Sequence, residues 1–285
     1  MARGALHPLA QVFNEILGTE VRIPEVPTRI VSFSPAATET LFEIGAGESV
    51  VGVSAFCARP PEVSQKRKVG SYNTVREEVL DELRPDLILA VTGYQREFAL
   101  RLAKKYPVYP LELPVSVAGI VDFVVKVGLV AGVPDRAREL ATSLLHRIGE
   151  LGSVPRLRAY EEIDLGGPVT FGAYSYITDA FRVLGCSTVC EDERSEWMKP
   201  DLEGIAGEDP DVIIYESKMF VSFDAKDLQS LIESRGWTSL KAVKSGNVFL
   251  TPRPLDFLAH HGPSFVTHVL PWMEETLTMA GRNLG

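Results

Sequence analysis

One spacing of residues occurs twice in this chain of 285 residues. Each copy has an aromatic residue, a glutamate six positions later, Pro-Asp seven and eight positions after the glutamate, and then four apolar residues. The first copy comprises Tyr72, Glu78, Pro85, Asp86 and residues 87–90, and the second comprises Trp197, Glu203, Pro210, Asp211 and residues 212–215. Internal repetition of this kind predicts two structural units that are built alike.

Each copy also predicts a local structure. Proline disfavours a helix directly before it, and a brief apolar run is typical of a buried strand. We therefore expect a short helix from about the glutamate to the residue before proline, followed by a core strand. A molecule of two similar units usually binds something between them. The alternative is that Pro-Asp is only a common helix-to-strand joint, which would leave the shared aromatic residue and glutamate unexplained.

Strands and helices alternate along the rest of the first half of the chain. Ser34 and Pro35 form a typical helix start, and Gly45 a typical helix end. The predicted strands are 29–33, 50–53, 68–69, 87–91 and 108–111, and the predicted helices are 36–44, 75–83 and 95–105. Such alternation favours a parallel sheet covered on both faces.

Two predicted helices, 117–131 and 134–151, separate this half from a second alternation. The later predicted strands are 157–165, 212–215 and 247–250, and the later predicted helices are 176–184, 201–208 and 263–279. One long helix with an apolar stripe is therefore expected to join two α/β lobes. The predicted domains are an N-terminal extension at 1–27, lobes at 28–132 and 154–285, and a bridging helix at 133–153.

Charge and hydropathy argue against several kinds of partner. The chain has 29 Lys and Arg against 38 Asp and Glu, a net charge of -9, which disfavours nucleic acid and anionic membranes. No apolar run approaches the roughly 20 residues that a transmembrane helix needs. Cys57, Cys186 and Cys190 make no disulfide framework. Cys186 with Cys190 is either half of a metal site or a pair of small buried side chains.

The motifs of common enzymes are absent. The sequence has no G-x-S-x-G, H-E-x-x-H or G-x-x-x-x-G-K-[ST], and 45–47 lacks the third glycine of a dinucleotide loop. The acidic run 191–193 is more typical of a solvated loop than of a catalytic cluster. A binding protein is therefore expected rather than an enzyme.

Several short motifs occur in a characteristic order: 29–39, 45–47 with 50–53, 60–61, 68–70, 84–88, 235–237, 246–248 and 262–263. In this order they resemble the solute-binding proteins of ABC importers for cobalamin, haem and iron-siderophores, the helical-backbone metal receptor superfamily. The resemblance implies an α/β fold with two Rossmann-like lobes with parallel sheets, bridged by one long α-helix. It also implies a monomer that binds a small metal chelate in the cleft between the lobes and delivers it unchanged to a permease.

The closest resemblance within that family is to its cobalamin-binding member. There, aromatic residues after successive strands contact the corrin, and Phe56, Tyr72 and Trp197 occupy the matching positions. An acidic and a basic residue on a late loop also contact the ligand, and Asp256 and His260 stand there. Cobalamin or a similar chelate is thus expected as ligand rather than as cofactor, with haem or an iron-siderophore as the alternative.

Two glutamates of that family, one per lobe, dock onto arginines of the transporter. Glu78 and Glu203 occupy the matching positions. The simpler interpretation is that both are first-turn glutamates favoured by the helix dipole. Two glutamates at matching places could, however, dock on a two-fold partner.

The sequence departs from the cobalamin-binding pattern at a few positions. A tryptophan of the pattern falls on Val91, where Tyr94 is close enough to substitute, and a phenylalanine falls on Val169, with Phe171 and Tyr174 nearby. The basic residue of the late loop is a histidine. These changes leave the identity of the chelate open.

The predicted ligand-binding residues are all expected in loops or helix starts after predicted strands, where ligands of open α/β sheets bind. They are Ser34, Phe56, Tyr72, Tyr94, Phe171, Tyr174, Trp197, Asp256 and His260. The alternative is that some of the aromatic residues, Phe171 and Tyr174 above all, fill the cores of their own lobes. His260 could ligate cobalt or iron as an axial ligand, but a hydrogen bond to the ligand or solvent exposure is the simpler expectation.

The N-terminal residues bear on localisation. Pro8, Gln11, Asn14 and Glu15 interrupt every apolar stretch of residues 1–20, so no export signal is expected there. The family resemblance implies a periplasmic protein, so either the sequence is trimmed or this homologue stays in the cytosol. A cytosolic chelatase or another tetrapyrrole-handling enzyme is the rival function, because such proteins also use two α/β lobes and a cleft histidine.

Overall fold

The computed structural model describes residues 9–285, which divide into two compact units. Unit 1 comprises the described residues up to Leu113 together with Val121–Leu145, and unit 2 comprises Pro114–Ile120 and His146–Gly285. Two of the boundaries fall inside helices, Val117–Val130 and Pro134–Gly149. The domain limits expected from the sequence stay a prediction.

Unit 1 contains a five-stranded parallel sheet and a two-stranded hairpin. Its strands are β1 (Leu9–Asn14), β2 (Thr19–Pro24), β3 (Ile30–Ser32), β4 (Val50–Ser54), β5 (Arg67–Gly70), β6 (Leu87–Val91) and β7 (Val108–Leu111). Its helices are α1 (Pro35–Glu43), α2 (Glu77–Leu83) and α3 (Arg96–Leu102), with parts of α4 (Val117–Val130) and α5 (Pro134–Gly149). The order of the parallel strands is β5-β4-β3-β6-β7.

Helices cover both faces of this sheet, as the alternation of strands and helices predicts. Along β6, Leu87 and Leu89 belong to one apolar cluster, which includes residues of α1 and α4. Ile88 and Ala90 belong to a second cluster, which includes residues of α2 and α3. A strand buried on both faces reads as a continuous apolar run, which is why its position was evident from the sequence.

The hairpin of β1 and β2 packs on the same unit through Asn14. The Asn14 side chain is buried, and its Nδ2 donates a hydrogen bond to the Pro110 carbonyl in β7 at 2.9 Å. Its Oδ1 accepts hydrogen bonds from the backbone of Ile16 and Leu17, which shapes the turn.

Unit 2 is built on a mixed sheet of order β11-β9-β8-β12-β13, with β10 also beside β8. Its strands are β8 (Arg158–Asp164), β9 (Pro168–Phe171), β10 (Ser187–Thr188), β11 (Trp197–Met198), β12 (Val212–Glu216) and β13 (Val248–Leu250). Its helices are α6 (Tyr176–Val183), α7 (Leu202–Glu208), α8 (Ala225–Ser234), α9 (Lys241–Lys244) and α10 (Leu270–Leu284). Within residues 9–285, no helix is long and apolar enough to cross a membrane.

The α/β fold is confirmed, but the unit 2 sheet is not entirely parallel. β8 pairs in parallel with β10 and β12, whereas β9 runs antiparallel to β8 and to β11. A tight turn reverses the chain after β8, because Asp164 Oδ1 accepts hydrogen bonds from the backbone of Gly166 and Gly167. Gly166 has a φ of 102°, a conformation that favours glycine. Two glycines between extended segments are a hairpin signal that the sequence prediction did not use.

Two helices also differ from their predictions. The predicted helix 263–279 begins with a π-helical segment, Phe265–Val269, and continues to Leu284 as α10. Helix α8 was missed altogether. Its start carries a capping box in which the Asp224 side chain accepts from the backbone of Asp227 and the Asp227 side chain accepts from the backbone of Asp224.

The repeated segment has the same structure in both units. Helices α2 and α7 each have 7 residues. Arg84 and Asp209 follow them in the left-handed conformation, both with a φ of 45°. Each of these residues directly precedes the proline of the repeat, which cannot continue the helix. The predicted helix-to-strand joint is therefore confirmed in both copies.

The aspartate of each copy fastens the start of the neighbouring central strand. Asp86 Oδ1 accepts a hydrogen bond from the Arg29 backbone at 2.9 Å, and the Asp86 backbone donates to the Arg29 carbonyl at 3.1 Å. In unit 2, Asp211 Oδ2 accepts from the Arg158 backbone at 2.9 Å, and the Asp211 backbone donates to the Arg158 carbonyl at 2.8 Å. The repeat thus encodes a strand-to-strand connection as well as a turn.

A buried ion pair connects strand β8 with the end of helix α8. Two guanidinium nitrogens of Arg235 donate to the two Glu162 oxygens at 2.7 and 2.8 Å, and the Tyr160 hydroxyl donates to the same carboxylate. The guanidinium also lies 4.9 Å from the ring centre of Trp237. This arrangement explains structurally why the chain carries Arg-Gly-Trp at 235–237.

We expect loss of either joint aspartate to destabilise its own unit. Asp86→Ala and Asp211→Ala each remove hydrogen bonds from backbone N–H groups to a carboxylate, with a cost of about 1.5–3 kcal/mol in the free energy of unfolding. Urea unfolding measures the change, with the exposed loop residue Asp192→Ala as the matched control. Equal stability of the three variants would contradict the proposed role of the joint.

Arg235→Ala should destabilise the protein by about 3–5 kcal/mol, because it leaves the Glu162 carboxylate buried without its cation. Arg67→Ala breaks the exposed pair with Glu82 and should cost about 1 kcal/mol or less. Chemical denaturation of both variants checks the difference. Adding Glu162→Gln to Arg235→Ala should recover part of the loss, and failure to recover any would argue against an uncompensated charge.

Candidate functional site

In unit 1, four predicted ligand-binding residues follow four neighbouring parallel strands. In the order of the sheet, Tyr72 follows β5, Phe56 follows β4, Ser34 follows β3 and Tyr94 follows β6. The carboxyl ends of parallel strands share one edge of a sheet, here called the carboxyl edge. The structure therefore brings these residues to one edge, where open α/β sheets bind ligands.

The aromatic residues of this edge expose ring surface. Phe56 is 37% exposed and Tyr94 is 49% exposed, while Tyr72 is half-buried. The rings of Phe56 and Tyr72 meet edge to face with their centres 6.2 Å apart. Partial burial raises the pKa of the Tyr94 phenol above its usual value.

Ser34 lies at the same edge, but its side chain caps a helix and is not exposed. Its side chain is fully buried, and its Oγ accepts a hydrogen bond from the Ala37 backbone at 3.2 Å. It is thus the N-cap of α1, as its sequence position indicated. Its contact with a ligand stays a prediction.

Gln95, which the sequence did not single out, connects three segments of the carboxyl edge of unit 1. Its Nε2 donates to the Phe33 carbonyl at 2.9 Å and to the Tyr72 carbonyl at 2.6 Å. Its Oε1 accepts from the Val91 backbone at 2.9 Å. The Gln95 side chain is fully buried and makes these three hydrogen bonds, which fix the loop of Tyr72 against the ends of β3 and β6.

In unit 2, the predicted aromatic residues lie on and beside β9. Trp197 was expected in a loop, but it forms the short strand β11 and is the direct cross-strand partner of Phe171. Phe171 is only 8% exposed and Trp197 is half-buried, whereas Tyr174 is 51% exposed. The alternative that these aromatic residues fill the core therefore agrees with the burial of Phe171 but not with the exposure of Tyr174.

Asp256 and His260 lie on the loop between β13 and the last helix. His260 Nδ1 is 3.5 Å from Asp256 Oδ2, and the two side chains are 2% and 17% exposed. The neighbouring His261 is also buried, with its ring centre 5.8 Å from that of Tyr176. The alternative of a solvent-exposed His260 is therefore wrong, because this loop packs against α6.

Glu216, the last residue of β12, is a buried acid that sequence reasoning missed. Burial is the largest effect on this carboxyl and raises its pKa to about 7. The hydrogen bond from the Phe257 backbone opposes this increase, and the negative charge of Asp256 adds to it. A buried carboxyl with a raised pKa is therefore hydrogen-bonded to the loop that carries Asp256 and His260.

Glu78 and Glu203 occupy the same place in their helices. Each is the second residue of its helix and each is exposed. Neighbouring acids are paired, Glu77 with Lys105 at 3.0 Å and Glu208 with Arg158 at 2.5 Å. Across residues 9–285, neither Glu78 nor Glu203 has an ion pair or a side-chain hydrogen bond.

A pocket of about 530 Å³ lies at the opposite end of the unit 2 sheet, where β8 and β10 begin. It is lined by Arg156, Leu157, Arg158, Arg182, Gly185, Cys186, Ser187, Glu191 and Asp211. Two of its arginines are neutralised, Arg158 by Glu208 and Arg182 by Glu191. The pocket therefore has little net charge, and it contains none of the predicted ligand-binding residues.

The described residues offer no cluster of metal ligands. Between residues 9 and 285, no group of three or more His, Cys, Asp or Glu could hold a metal ion. The three cysteines are free thiols. Cys186 Sγ donates to the Pro155 carbonyl, and burial raises its pKa, so it remains a neutral thiol.

The sequence that forms this fold matches one known protein family. A family profile described as periplasmic binding protein matches residues 30–255. The chain belongs to this family, whose members are solute-binding proteins rather than enzymes.

The chain is also similar to individual proteins of known sequence. A protein of Halobacterium salinarum named "Cobalamin-binding protein" is 28% identical over 207 residues, which is 69% of this chain and 56% of the relative. The chain thus spans little more than half of that relative. The "Uncharacterized ABC transporter substrate-binding lipoprotein YvrC" of Bacillus subtilis is 25% identical over 88% of this chain and 80% of its own length.

Solved structures share the fold at low sequence identity. The periplasmic vitamin B12 binding protein BtuF of Vibrio cholerae has a TM-score of 0.71 at 19% identity, covering 90% of this chain and 98% of that one. The periplasmic heme-binding protein RhuT from Roseiflexus sp. RS-1 has a TM-score of 0.71 at 21% identity, covering 88% and 98%. The molybdate-binding MolA of Haemophilus influenzae has a TM-score of 0.73 at 17% identity, covering 96% and 92%.

Proposed function

We propose that this protein binds a corrinoid or a closely related metal chelate, without changing it chemically, and delivers it to an ABC importer. The observation that carries the proposal is a set of partly exposed aromatic residues at the carboxyl edge of the unit 1 sheet and beside strand β9 in unit 2. In unit 1 these are Phe56, Tyr72 and Tyr94, and in unit 2 they are Tyr174 and Trp197. The names of the cobalamin-binding relatives support the same ligand class.

The chemistry of these residues suits a large, flat ligand with a polar rim. Aromatic rings offer broad apolar surface at a small cost in conformational entropy, and phenol hydroxyls add directional hydrogen bonds. Asp256 and His260 would supply the polar contacts for the ligand's side chains. Coordination of the metal by a protein side chain is not required for this kind of binding. A neutral imidazole such as that of His260 is nevertheless chemically able to coordinate cobalt or iron.

The proposed partner is a permease that recognises Glu78 and Glu203. Both are exposed, both occupy the second position of matching helices, and neither is neutralised by a neighbour within the described residues. Two such carboxylates can meet two arginines of a two-fold partner, where complementary charge sets orientation and encounter rate. The proposal places the protein outside the cytoplasm, where it would work as a monomer.

Haem and iron-siderophores are the alternative ligands, since heme-binding proteins share the fold. The alternative activity is that of a chelatase-like enzyme handling tetrapyrroles. The observation that favours it is that Glu216, whose pKa is raised to about 7, lies near Asp256, which is itself 3.5 Å from the His260 imidazole, because neighbouring acids and imidazoles are suited to proton transfer.

Titration with cyanocobalamin, haem and a ferric siderophore, measured by quenching of tryptophan fluorescence, tests the proposed ligand. We expect saturable binding of cyanocobalamin, and a loss of about tenfold or more in affinity for Trp197→Ala, because an aromatic contact is worth roughly 1–3 kcal/mol. Phe13→Ala, a change of an exposed aromatic residue in β1, is the control and should bind normally.

Binding of none of the three ligands would refute the proposal. Insertion of a metal into a porphyrin by the purified protein would instead establish the chelatase. Because the two results come from different assays, they separate the two functions.

Reversal of both glutamates tests the proposed docking. The double variant Glu78→Lys, Glu203→Lys should lose association with the permease and keep its ligand affinity, because neither residue is among the proposed ligand-binding residues. The control carries the same charge change at two other exposed glutamates, Glu62→Lys and Glu275→Lys. Reconstituted transport and co-purification provide the measurements.

Unchanged association of the first double variant would show that the two glutamates serve only their helix dipoles. In that case the change should lower stability by about 1 kcal/mol in total and leave uptake intact.

A further inference from the structure

We infer that Glu216 is a positioning residue that fixes the loop carrying Asp256 and His260 in the orientation needed to contact the ligand. The inference rests on the proposed function for its ligand, but the hold of Glu216 on the loop is a property of the protein alone. Nothing in the sequence neighbourhood of Glu216 distinguishes it from the polar end of a strand.

The contacts of Glu216 are made by both carboxylate oxygens. Oε1 accepts a hydrogen bond from the Phe257 backbone at 3.1 Å, and Oε2 accepts one from the Leu258 backbone. Glu216 is 3% exposed, so these bonds form away from competing water. One carboxylate therefore orients two consecutive peptide groups that lie 41 and 42 residues away in the chain.

The same loop is held from its other side by α6. The Tyr176 hydroxyl donates to the Leu258 carbonyl at 2.9 Å, and the Tyr176 ring meets those of His261 and Phe265 edge to face. Leu258 itself is fully buried. Leu258 is thus bound through its N–H by Glu216 and through its carbonyl by Tyr176, which leaves its peptide groups little freedom to rotate.

These bonds fix the two residues that would meet the ligand. Asp256 directly precedes the first anchored amide, and His260 follows the second by two positions. The distance of 3.5 Å between Asp256 Oδ2 and His260 Nδ1 depends on the backbone between them. An error of about an ångström in the placement of such groups is enough to weaken recognition markedly.

The chemistry requires a carboxylate at this position. Two N–H donors need two acceptors, and glutamine would offer one oxygen while turning its NH₂ toward the other donor. Burial of a charged carboxylate is costly, and charge-assisted hydrogen bonds from the two amides offset part of that cost. The charged group that faces this carboxyl is Asp256 on the loop, and Asp256 Oδ2 in turn lies 3.5 Å from His260 Nδ1.

Hydrogen exchange of the ligand-free protein tests the inference first. In Glu216→Gln, the amides of Phe257 and Leu258 should exchange about tenfold faster or more, because one hydrogen bond to a charged acceptor is lost. Glu161→Gln makes the same substitution at an equally buried acid of β8 and should leave these amides unchanged. Glu216→Asp keeps the charge but shortens the side chain, and it replaces the glutamine variant if that variant does not fold.

Ligand binding then tests the positioning role through a double-mutant cycle. Glu216→Gln should weaken cyanocobalamin binding by about tenfold in the wild-type background and have little effect in a background that carries both Asp256→Asn and His260→Ala, since it acts through these two residues. A purely structural role would instead give additive losses in both backgrounds. Additivity would therefore overturn the positioning role.

Unchanged exchange of the Phe257 and Leu258 amides in both Glu216 variants would also overturn the inference. If exchange accelerates but the wild-type protein binds none of the tested chelates, the proposed function fails while the hold of Glu216 on the loop stands. The two failures are therefore distinguishable.

Discussion

In both units a single aspartate binds the backbone at the start of the central strand, at Arg29 directly before β3 and at Arg158, the first residue of β8, and the register of each sheet depends on this connection. Neighbouring residues of β6 face different apolar clusters, so a shift of the strand by one residue would exchange the two faces. The paired hydrogen bonds of Asp86 with Arg29, and of Asp211 with Arg158, prevent such a shift. The register in turn determines where each strand ends and hence where the aromatic residues emerge.

Much of the fold was predictable because its main strands are buried on both faces and its helices have clear ends. The apolar runs at β6 and β12 located the centre of each sheet, and Ser34 located the start of α1. The short strands β9 and β11 were not predictable in this way. β11 has only 2 residues, and its stability comes from pairing with β9 rather than from its own side chains.

The candidate site was predictable in position but not in detail. Residues after the parallel strands of unit 1, such as Phe56 and Tyr94, had to lie near the carboxyl edge of that sheet. In unit 2 the sequence did not reveal that β9 is antiparallel, and it could not distinguish the exposed Tyr174 from the buried Phe171. Gln95 and Glu216 were missed because their partners are distant in the chain. Gln95 binds Phe33 across 62 positions, and Glu216 binds Phe257 across 41, so no local pattern could indicate either role.

Helix α4 is shared between the two units, and this limits how the units can be separated by proteolysis or by truncation of the gene. Its first residues belong to unit 2, where the Val117 backbone donates to Asp179 of α6 at 2.8 Å, and its remaining residues belong to unit 1. Helix α5 is likewise shared. Neither unit is therefore a single unbroken stretch of chain, and no one cleavage or gene truncation can yield a complete unit. Isolated halves of this protein would each lack a segment that the other half supplies, so its folding must be studied on the whole chain.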